Sequence, residues 1–219
     1  MHTLLLKRVP MFKGLDDADL QAIADHTTTH TYPRNTILMH EGEPPDAMYV
    51  VVEGRVKIYV SDTDGKELVL DTLSPGEFFG ELALIDGSPR SATVVTTAET
   101  TISKILKTEF DHCLAASPKI AINLLKSLSK RIRILNDNVK DLALLDVYGR
   151  VASTILRLAH ERSGIMITDP ITQQELANMV GASREMVSRV IKTLKSEGYI
   201  SISGKQITIL STLPTAHSP

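Results

Sequence analysis

The spacing of hydrophobic positions divides this chain into three stretches. Between residues 31 and 107 they come in short runs, at 36–39, 47–52, 56–60, 67–73, 91–96 and 101–106. Turn formers separate the runs: Glu41-Gly42-Glu43-Pro44-Pro45, Glu53-Gly54, Asp62-Thr63-Asp64-Gly65 and Ser74-Pro75-Gly76. Val56-Lys57-Ile58-Tyr59-Val60 alternates apolar with polar or amphipathic side chains, the period of a half-buried strand. Many short strands with glycine turns predict an antiparallel sandwich or barrel. Ahead of it, residues 16–26 predict a short helix with acids in its first turn, where they favour the helix dipole.

Pro118 opens the second stretch. Leu125, Leu128, Ile132, Leu135, Val139 and Leu142 fall at alternating spacings of three and four, an a/d seam of about two and a half heptads. The other faces carry Lys126, Lys130, Arg131, Arg133, Asp137, Lys140 and Asp141. A helix of about 28 residues spans about 42 Å. So narrow a seam suits one partner helix. The same helix from a second copy is the expected partner; packing against the chain's own barrel is the alternative. Asp146-Val147-Tyr148-Gly149-Arg150 interrupts the seam, and Gly149 marks the expected hinge.

The third stretch returns to short amphipathic segments. Residues 151–161 predict a helix ended by Ser163-Gly164. Thr172 and Glu175 form a capping box for a helix that runs to Val180. Gly181-Ala182 turns the chain, and Ser183 caps a second helix with an expected buried face of Met186, Val187, Val190, Ile191 and Leu194. Gly198 closes that helix. Strands at 199–203 and 206–210, joined by Gly204-Lys205, complete a helix-turn-helix with a β wing. Residues 212–219 are expected to fray.

Composition narrows the partners. The 219 residues are 42% hydrophobic and 23% charged, the balance of a folded protein. Cys113 stands alone, which excludes an intrachain disulfide and any all-cysteine metal site. No apolar run approaches the ~20 residues of a membrane helix. Lys7 interrupts the leucines after Met1-His2-Thr3, unlike a secretory signal. A soluble, cytoplasmic protein with no membrane partner and no metal is expected. The net charge of −2 by itself argues against binding nucleic acid, but its distribution argues for it. Residues 1–117 carry 10 basic and 18 acidic side chains, residues 118–146 carry 6 and 3, and residues 147–219 carry 8 and 5. An acidic front and a mildly basic back suggest modules with different partners.

The chemistry concentrates in residues 79–94, Phe-Gly-Glu-Leu-Ala-Leu-Ile-Asp-Gly-Ser-Pro-Arg-Ser-Ala-Thr-Val. Gly80 allows close approach of a ligand or of backbone. Residues 81–84 can form one helical turn with free amide N–H groups, which favour an anion. Arg90 follows at a distance that lets its planar fork close over that turn. Ser91 adds a hydroxyl. Glu81 would repel a phosphate but can accept from a ribose hydroxyl. These are the parts of a pocket for a ribose and a phosphate; a plain hairpin with a surface arginine is the alternative.

This segment resembles the phosphate-binding cassette of cyclic-nucleotide-binding domains. From about Phe12 to Leu210 the chain is similar to the CRP/FNR family of bacterial transcription regulators, nearest to its cyclic-AMP receptor branch. The resemblance implies an α+β protein: an N-terminal cyclic-nucleotide-binding β-roll, jelly-roll-like, over 1–117; a dimerisation helix over 118–146; and a C-terminal winged helix-turn-helix over 147–219. Gly42, Gly54, Gly65 and Gly76 match turns of the roll. By the resemblance Gly80, Glu81, Leu82 and Ala83 line the cyclic phosphate and ribose, Arg90 is the counter-charge and Ser91 its helper. Leu135 and Asn136 stand where the family's Thr-Ser pair reaches the base. Leu135 offers no hydrogen bond there; Asn136 both donates and accepts. Cyclic AMP leads as effector, with cyclic GMP and cyclic di-GMP the alternatives. The oxygen-sensing branch needs a cysteine cluster that this chain lacks.

On the second helix of the motif, Arg184, Glu185 and Arg189 share a face. Arginine takes guanine O6 and N7, and glutamate accepts from cytosine N4. Thr172, Gln173 and Ser183 are candidate phosphate contacts. The segment 183–189, with Ser188 inside it, matches the family's recognition helix and implies palindromic TGTGA-type sites in double-stranded DNA. The expected function is a homodimeric, cyclic-nucleotide-responsive transcription regulator that works with RNA polymerase. Three alternatives remain: a regulator that binds DNA without ligand, one that senses cyclic di-GMP, and a nucleotide-sensing subunit that acts on a protein partner. No nucleophile–base set or P-loop suggests an enzyme.

Overall fold

The structure is a computed structural model that describes residues 6–214. The chain divides into two compact units, Met1–Ile132 and Arg133–Pro219.

The first unit holds eight strands among its described residues: β1 (Thr27–Tyr32), β2 (Ile37–Met39), β3 (Ala47–Glu53), β4 (Val56–Ser61), β5 (Glu67–Leu73), β6 (Phe78–Phe79), β7 (Thr93–Thr96) and β8 (Thr100–Leu106). They form two antiparallel four-stranded sheets, ordered β1-β8-β3-β6 and β2-β7-β4-β5. Alternation along the strands gives each sheet an apolar face. Val51, Val56, Leu73, Phe79, Val94 and Ile102 pack into one core from both sheets. Gly54 makes the β3–β4 turn at a φ of 86°, and a Cβ there would lie 2.4 Å from the Glu99 carbonyl oxygen, so only glycine fits.

Strands β1 and β6 have no counterpart in the predicted runs. β1 reads Thr-Thr-Thr-His-Thr-Tyr and is mostly exposed, so no hydrophobic alternation announces it. It is held by its ladder to β8 and by hydroxyl pairs, Thr29 with Ser103 at 2.8 Å and Thr31 with Thr101 at 2.9 Å. β6 is two residues long, too short to show a period.

Helix α1 (Asp17–Asp25), capped by Asp16, α2 (Glu81–Asp86), α3 (Lys107–Ala116) and the start of α4 (Pro118–Leu144) complete the unit. A second core joins Phe12, Leu20, Met48, Phe78, Phe110, Ile120 and Leu124. Leu128 packs against it, whereas Leu125, Ile132, Leu135, Val139 and Leu142 of the seam are exposed.

The second unit contains the end of α4, α5 (Val147–Leu158), β9 (Ala159–Arg162), β10 (Ile165–Thr168), α6 (Gln173–Val180), α7 (Arg184–Ser196), β11 (Ile200–Ser203) and β12 (Gln206–Ile209). The strands form one sheet, ordered β11-β12-β10-β9. Tyr148, Val151, Ile155, Leu176, Val187, Leu194 and Ile207 make its core.

Four expectations are corrected here. The helix expected at 151–161 stops at Leu158, and residues 159–162 form a strand instead. Ser163 and Gly164 both have positive φ, 53° and 78°, the requirement of a tight hairpin turn. The break expected at Gly149 falls earlier, between α4 and α5, because the Asp146 carboxylate accepts from the Gly149 amide at 2.8 Å and caps α5. Gly149 is helical and buried. Met186 is exposed rather than buried, since the core-facing stripe of α7 is the narrower set Val187, Ile191 and Leu194. The expected fraying at 212–219 fails for Leu213, which packs into the core; residues 215–219 lie outside the described residues.

Candidate functional site

β6 delivers the chain to Gly80, which caps α2 at a φ of 81°. A Cβ at this position would lie 2.8 Å from Arg90 Nη1, so glycine meets both the backbone demand and the close approach. Arg90 is 3% exposed. Its Nη1 donates to the Gly80 carbonyl at 2.8 Å, and its Nη2 donates to the Ala47 carbonyl at 2.7 Å and to Asp46 Oδ1 at 3.1 Å. The guanidinium carbon lies 5.8 Å from the centre of the Tyr49 ring, which stacks on Phe79. Arg90 therefore ties the start of α2 to β3 from a buried position.

Asp46 is shared with Lys104, whose Nζ donates to Oδ2 at 2.6 Å. Burial pushes the Asp46 carboxyl up, but Lys104 and then Arg90 outweigh it and hold the group below its ordinary range. Asp46 is thus an ionised counter-charge for Arg90, itself largely open to water.

Glu81 is 1% exposed. Arg131 on α4 donates from Nη1 to Glu81 Oε1 at 2.6 Å and from Nη2 to the Phe78 carbonyl, and its guanidinium lies over the Phe78 ring. Burial pushes the Glu81 carboxyl up, and the charge of Arg131 opposes that shift without cancelling it. Ala83 is buried, while Leu82 and Ser91 are exposed. Leu135 and Asn136 lie on α4 in the second unit, both exposed. The structure thus brings together Gly80, Glu81 and Arg90 and adds Arg131 and Asp46, which the sequence reading missed. Arg131 stands among the charged positions off the seam, and Asp46 in a turn. The one available signal was that Glu81, next to an apolar run, needs a buried partner.

Other reactive groups offer little. Burial, with Glu109 and Asp19, pushes the Cys113 thiol up to about 11, so it is protonated and unreactive at neutral pH. Among the described residues no group of three or more His, Cys, Asp or Glu side chains could hold a metal.

The helix-turn-helix builds a second candidate surface. Thr172 Oγ1 accepts from the Glu175 amide at 3.1 Å and donates to Glu175 Oε2 at 2.7 Å, the predicted capping box. Its hydroxyl proton is therefore committed within the helix. Ser183 Oγ accepts from the Met186 amide at 3.2 Å and caps α7. Gln173, Arg184, Glu185 and Arg189 are exposed and Ser188 is half-buried. The Glu185 amide and the Ser183 side chain hold the Glu185 carboxyl below its ordinary value, so it is an ionised acceptor. Thr172, Gln173, Arg184 and Lys205 line a cleft of about 420 Å³, with Ile191, Ile202 and Ile207 among its apolar lining. Lys205, at the tip of the wing, is a cation the sequence reading did not assign.

The end of α4 is fastened to α5. Asp141 Oδ2 accepts from Ser153 Oγ at 2.6 Å and from Arg157 Nη1 at 2.7 Å. Arg150 donates from Nε to the Val180 carbonyl at 2.9 Å and from Nη1 to the Leu145 carbonyl at 3.0 Å.

Two domain families match parts of the chain. Residues 29–117 match the family of the cyclic nucleotide-binding domain, and residues 149–212 match the Crp-like helix-turn-helix domain. The chain is 33% identical over 210 residues to a CRP-like cAMP-activated global transcriptional regulator of Mycobacterium tuberculosis, covering 94% of each chain. It is 35% identical over 205 residues to the cAMP-activated global transcriptional regulator CRP of Salmonella typhimurium, covering 91% of this chain and 98% of that one. Among solved structures, the c-di-GMP responsive global regulator CLP of Xanthomonas campestris superposes with a TM-score of 0.78 at 29% identity, covering 90% of this chain and 100% of that one.

Proposed function

The chain belongs to the CRP/FNR family of transcription regulators, and we propose that it is a homodimeric switch in which a cyclic nucleotide bound in the cradle controls how a pair of helix-turn-helix heads grips DNA. The observation that carries this reading is the pairing of Glu81 with Arg131. One partner is the first residue of the cradle helix, and the other belongs to α4, the helix that bears the apolar seam. A ligand that moves α2 therefore pulls on the element expected to hold the dimer. Mutually exclusive arrangements of packed elements, each favoured by one ligation state, are how such a pull becomes a switch.

The roles follow from the chemistry. Arg90 supplies charge to the cyclic phosphate, in competition with Asp46. Gly80, Leu82, Ala83 and Ser91 shape the cradle, and Glu81 offers its second oxygen to a ribose hydroxyl. Asn136 is assigned to the base edge, with Leu135 beside it. Cyclic AMP is the leading effector because the relatives in M. tuberculosis and S. typhimurium are named as cAMP-activated. The c-di-GMP responsive neighbour supports the second candidate. Residues 1–117, 118–146 and 147–219 are assigned to effector binding, dimerisation and DNA binding. Arg184 and Arg189 read guanines and Glu185 a cytosine in TGTGA-type palindromes, in a cytoplasmic protein that works with RNA polymerase and carries no catalytic activity.

Calorimetry of the full chain against cyclic AMP, cyclic GMP and cyclic di-GMP, repeated with Arg90→Ala, tests the cradle. One nucleotide should bind and the variant should lose it; nucleotide binding that ignores Arg90 would refute the assignment. A second reading, a regulator that binds DNA without ligand, is favoured by the protein partners that Arg90 and Glu81 already have in Asp46 and Arg131. Titrating a palindromic duplex with and without nucleotide separates the two.

A further inference from the structure

The cleft between the helix-turn-helix and the wing has an apolar lining with a definite origin. Ile202 on β11 pairs with Ile207 on β12, so both side chains leave the sheet on one face. Ile191 of α7 and Ile171, just ahead of α6, join them. Ile191 and Ile207 are nearly fully buried, whereas Ile171 and Ile202 are half-buried. The wing is pinned beside the helices. The Ile171 amide donates to the Lys205 carbonyl at 2.9 Å, and the Ile207 amide donates to Thr168 Oγ1 at 3.1 Å. The cleft is therefore preformed. Its volume of about 420 Å³ lies in the range of small-molecule sites, roughly 300–1,000 Å³.

Its charge is of one sign. Arg184, the first residue of α7, and Lys205, in the turn between β11 and β12, are both exposed and both line it. Among the described residues that line it, none is acidic. Two cations from different elements, set against isoleucines, match an anion with a hydrophobic body. DNA matches only the cations: its phosphates and base edges engage charged and polar groups and leave the isoleucines without a partner. A nucleotide matches little more. No aromatic ring among the lining residues can stack a base. The Thr172 hydroxyl is committed to Glu175, and Gln174 Nε2 donates to Asn178 at 2.8 Å. An aliphatic carboxylate uses every part. Its chain covers the isoleucines, and its planar head accepts from the arginine fork beside the lysine.

We propose that the winged head carries a second ligand site, for a free aliphatic carboxylate of medium chain length, with the chain against Ile171, Ile191, Ile202 and Ile207 and the carboxylate held by Arg184 and Lys205. Such a ligand is an inhibitor. Arg184 is assigned to a guanine, and an arginine that holds a carboxylate is withdrawn from the base. The site lies wholly in the second unit, so it stands apart from the nucleotide reading of the cradle; its inhibitory effect rests on the DNA reading of the recognition helix.

The test titrates hexanoate, octanoate and octanol into the full chain by calorimetry, as wild type, Lys205→Ala and Ile202→Ala. Each buried methylene is worth about fourfold, so octanoate should bind about 15-fold more tightly than hexanoate. Octanol, with the same chain and no charge, should bind more weakly than octanoate. Lys205→Ala should weaken octanoate by about two- to fivefold and leave octanol unchanged, whereas Ile202→Ala should weaken both. Isoleucine methyl labels place the ligand in the wild type without any variant: octanoate should move the signals of Ile171, Ile191, Ile202 and Ile207 and leave Ile58 and Ile102 of the roll alone. Fluorescence anisotropy should show octanoate competing with a palindromic duplex. Three outcomes overturn the site: no movement of the cleft methyls at millimolar octanoate, a Lys205→Ala loss equal for octanoate and octanol, or displacement of octanoate from the cleft by cyclic AMP, which would give the cleft to a nucleotide. DNA affinity indifferent to saturating octanoate would overturn the inhibition. A chain that takes octanoate in the cleft but binds no DNA at all would overturn the DNA reading and the inhibition together, with the site itself upheld.

Discussion

Arg90 and Asp71 are both charged side chains inside the roll, yet they bear on stability with opposite sign. Arg90 satisfies two backbone carbonyls and a carboxylate. Arg90→Ala should therefore cost about 1–3 kcal/mol by leaving buried acceptors without donors, besides abolishing ligand capture. Asp71 carries a cost of its own. Its folded-state pKa is raised, chiefly by burial, so its contribution favours folding below the ordinary carboxylate pKa of about 4 and is lost as pH climbs through the raised value. Asp71→Asn should thus be more stable than wild type at neutral pH, with the gain vanishing as pH falls below about 4. Urea melts followed by far-UV circular dichroism suit a chain without tryptophan; a variant less stable than wild type at pH 7 would show that the Thr72 amide and the charge of Arg131 together outweigh burial. Part of this site was legible in advance. Gly80 and Arg90 stand ten residues apart in one contiguous motif, so the chemistry and its spacing could be read together. Arg131 pairs with a residue 50 positions away and Asp46 with one 44 away, and such partners leave no local pattern.

Among the elements, helices announced themselves by their ends and strands by their burial. Thr172 and Ser183 cap as predicted, and Asp16, read as a first-turn acid, caps α1 instead. Thr172→Ala removes one donor and one acceptor of the box with Glu175 and should destabilise the second unit by about 1 kcal/mol, whereas Thr172→Ser should keep most of it. If the two variants melt alike in thermal denaturation, the box contributes nothing. Where an element buries little, the pattern failed. β1 is exposed on nearly every residue, and Ala159-His160-Glu161-Arg162 carries no alternation to distinguish a strand from the end of a helix. The break after α4 was placed at Gly149 because glycine is poor in helices, but the Asp146 cap sets it earlier. Where α4 ends, its hold on α5 rests on Asp141, Ser153 and Arg157. Arg157→Ala should leave nucleotide affinity unchanged and lower the ratio of DNA affinities measured with and without nucleotide, since it loosens the joint rather than either site. A fluorescence-anisotropy titration reads that ratio.

For the molecule as a whole, the proposed switch makes effector and DNA binding one linked equilibrium. If nucleotide raises DNA affinity by some factor, DNA must raise nucleotide affinity by the same factor, about 5- to 150-fold for coupling of 1–3 kcal/mol. The seam decides whether that linkage exists. Leu125 and Val139 are 63% and 64% exposed, far more apolar surface than a helix facing only water would keep in a regular row. Val139→Asp places a charge on that row without touching the cradle residues or the recognition helix. Such a chain should run as a monomer in sedimentation and keep the calorimetric affinity of its cradle. It should lose most of its affinity for a full palindrome, because the second half-site no longer binds as part of the same molecule. Its salt dependence should fall as well, since log affinity declines in proportion to the number of phosphates neutralised and one head contacts about half as many as two. A monomeric Val139→Asp that still bound the palindrome with the wild-type salt slope would show that a single copy makes all the contacts, and the paired, nucleotide-gated arrangement would have to be abandoned.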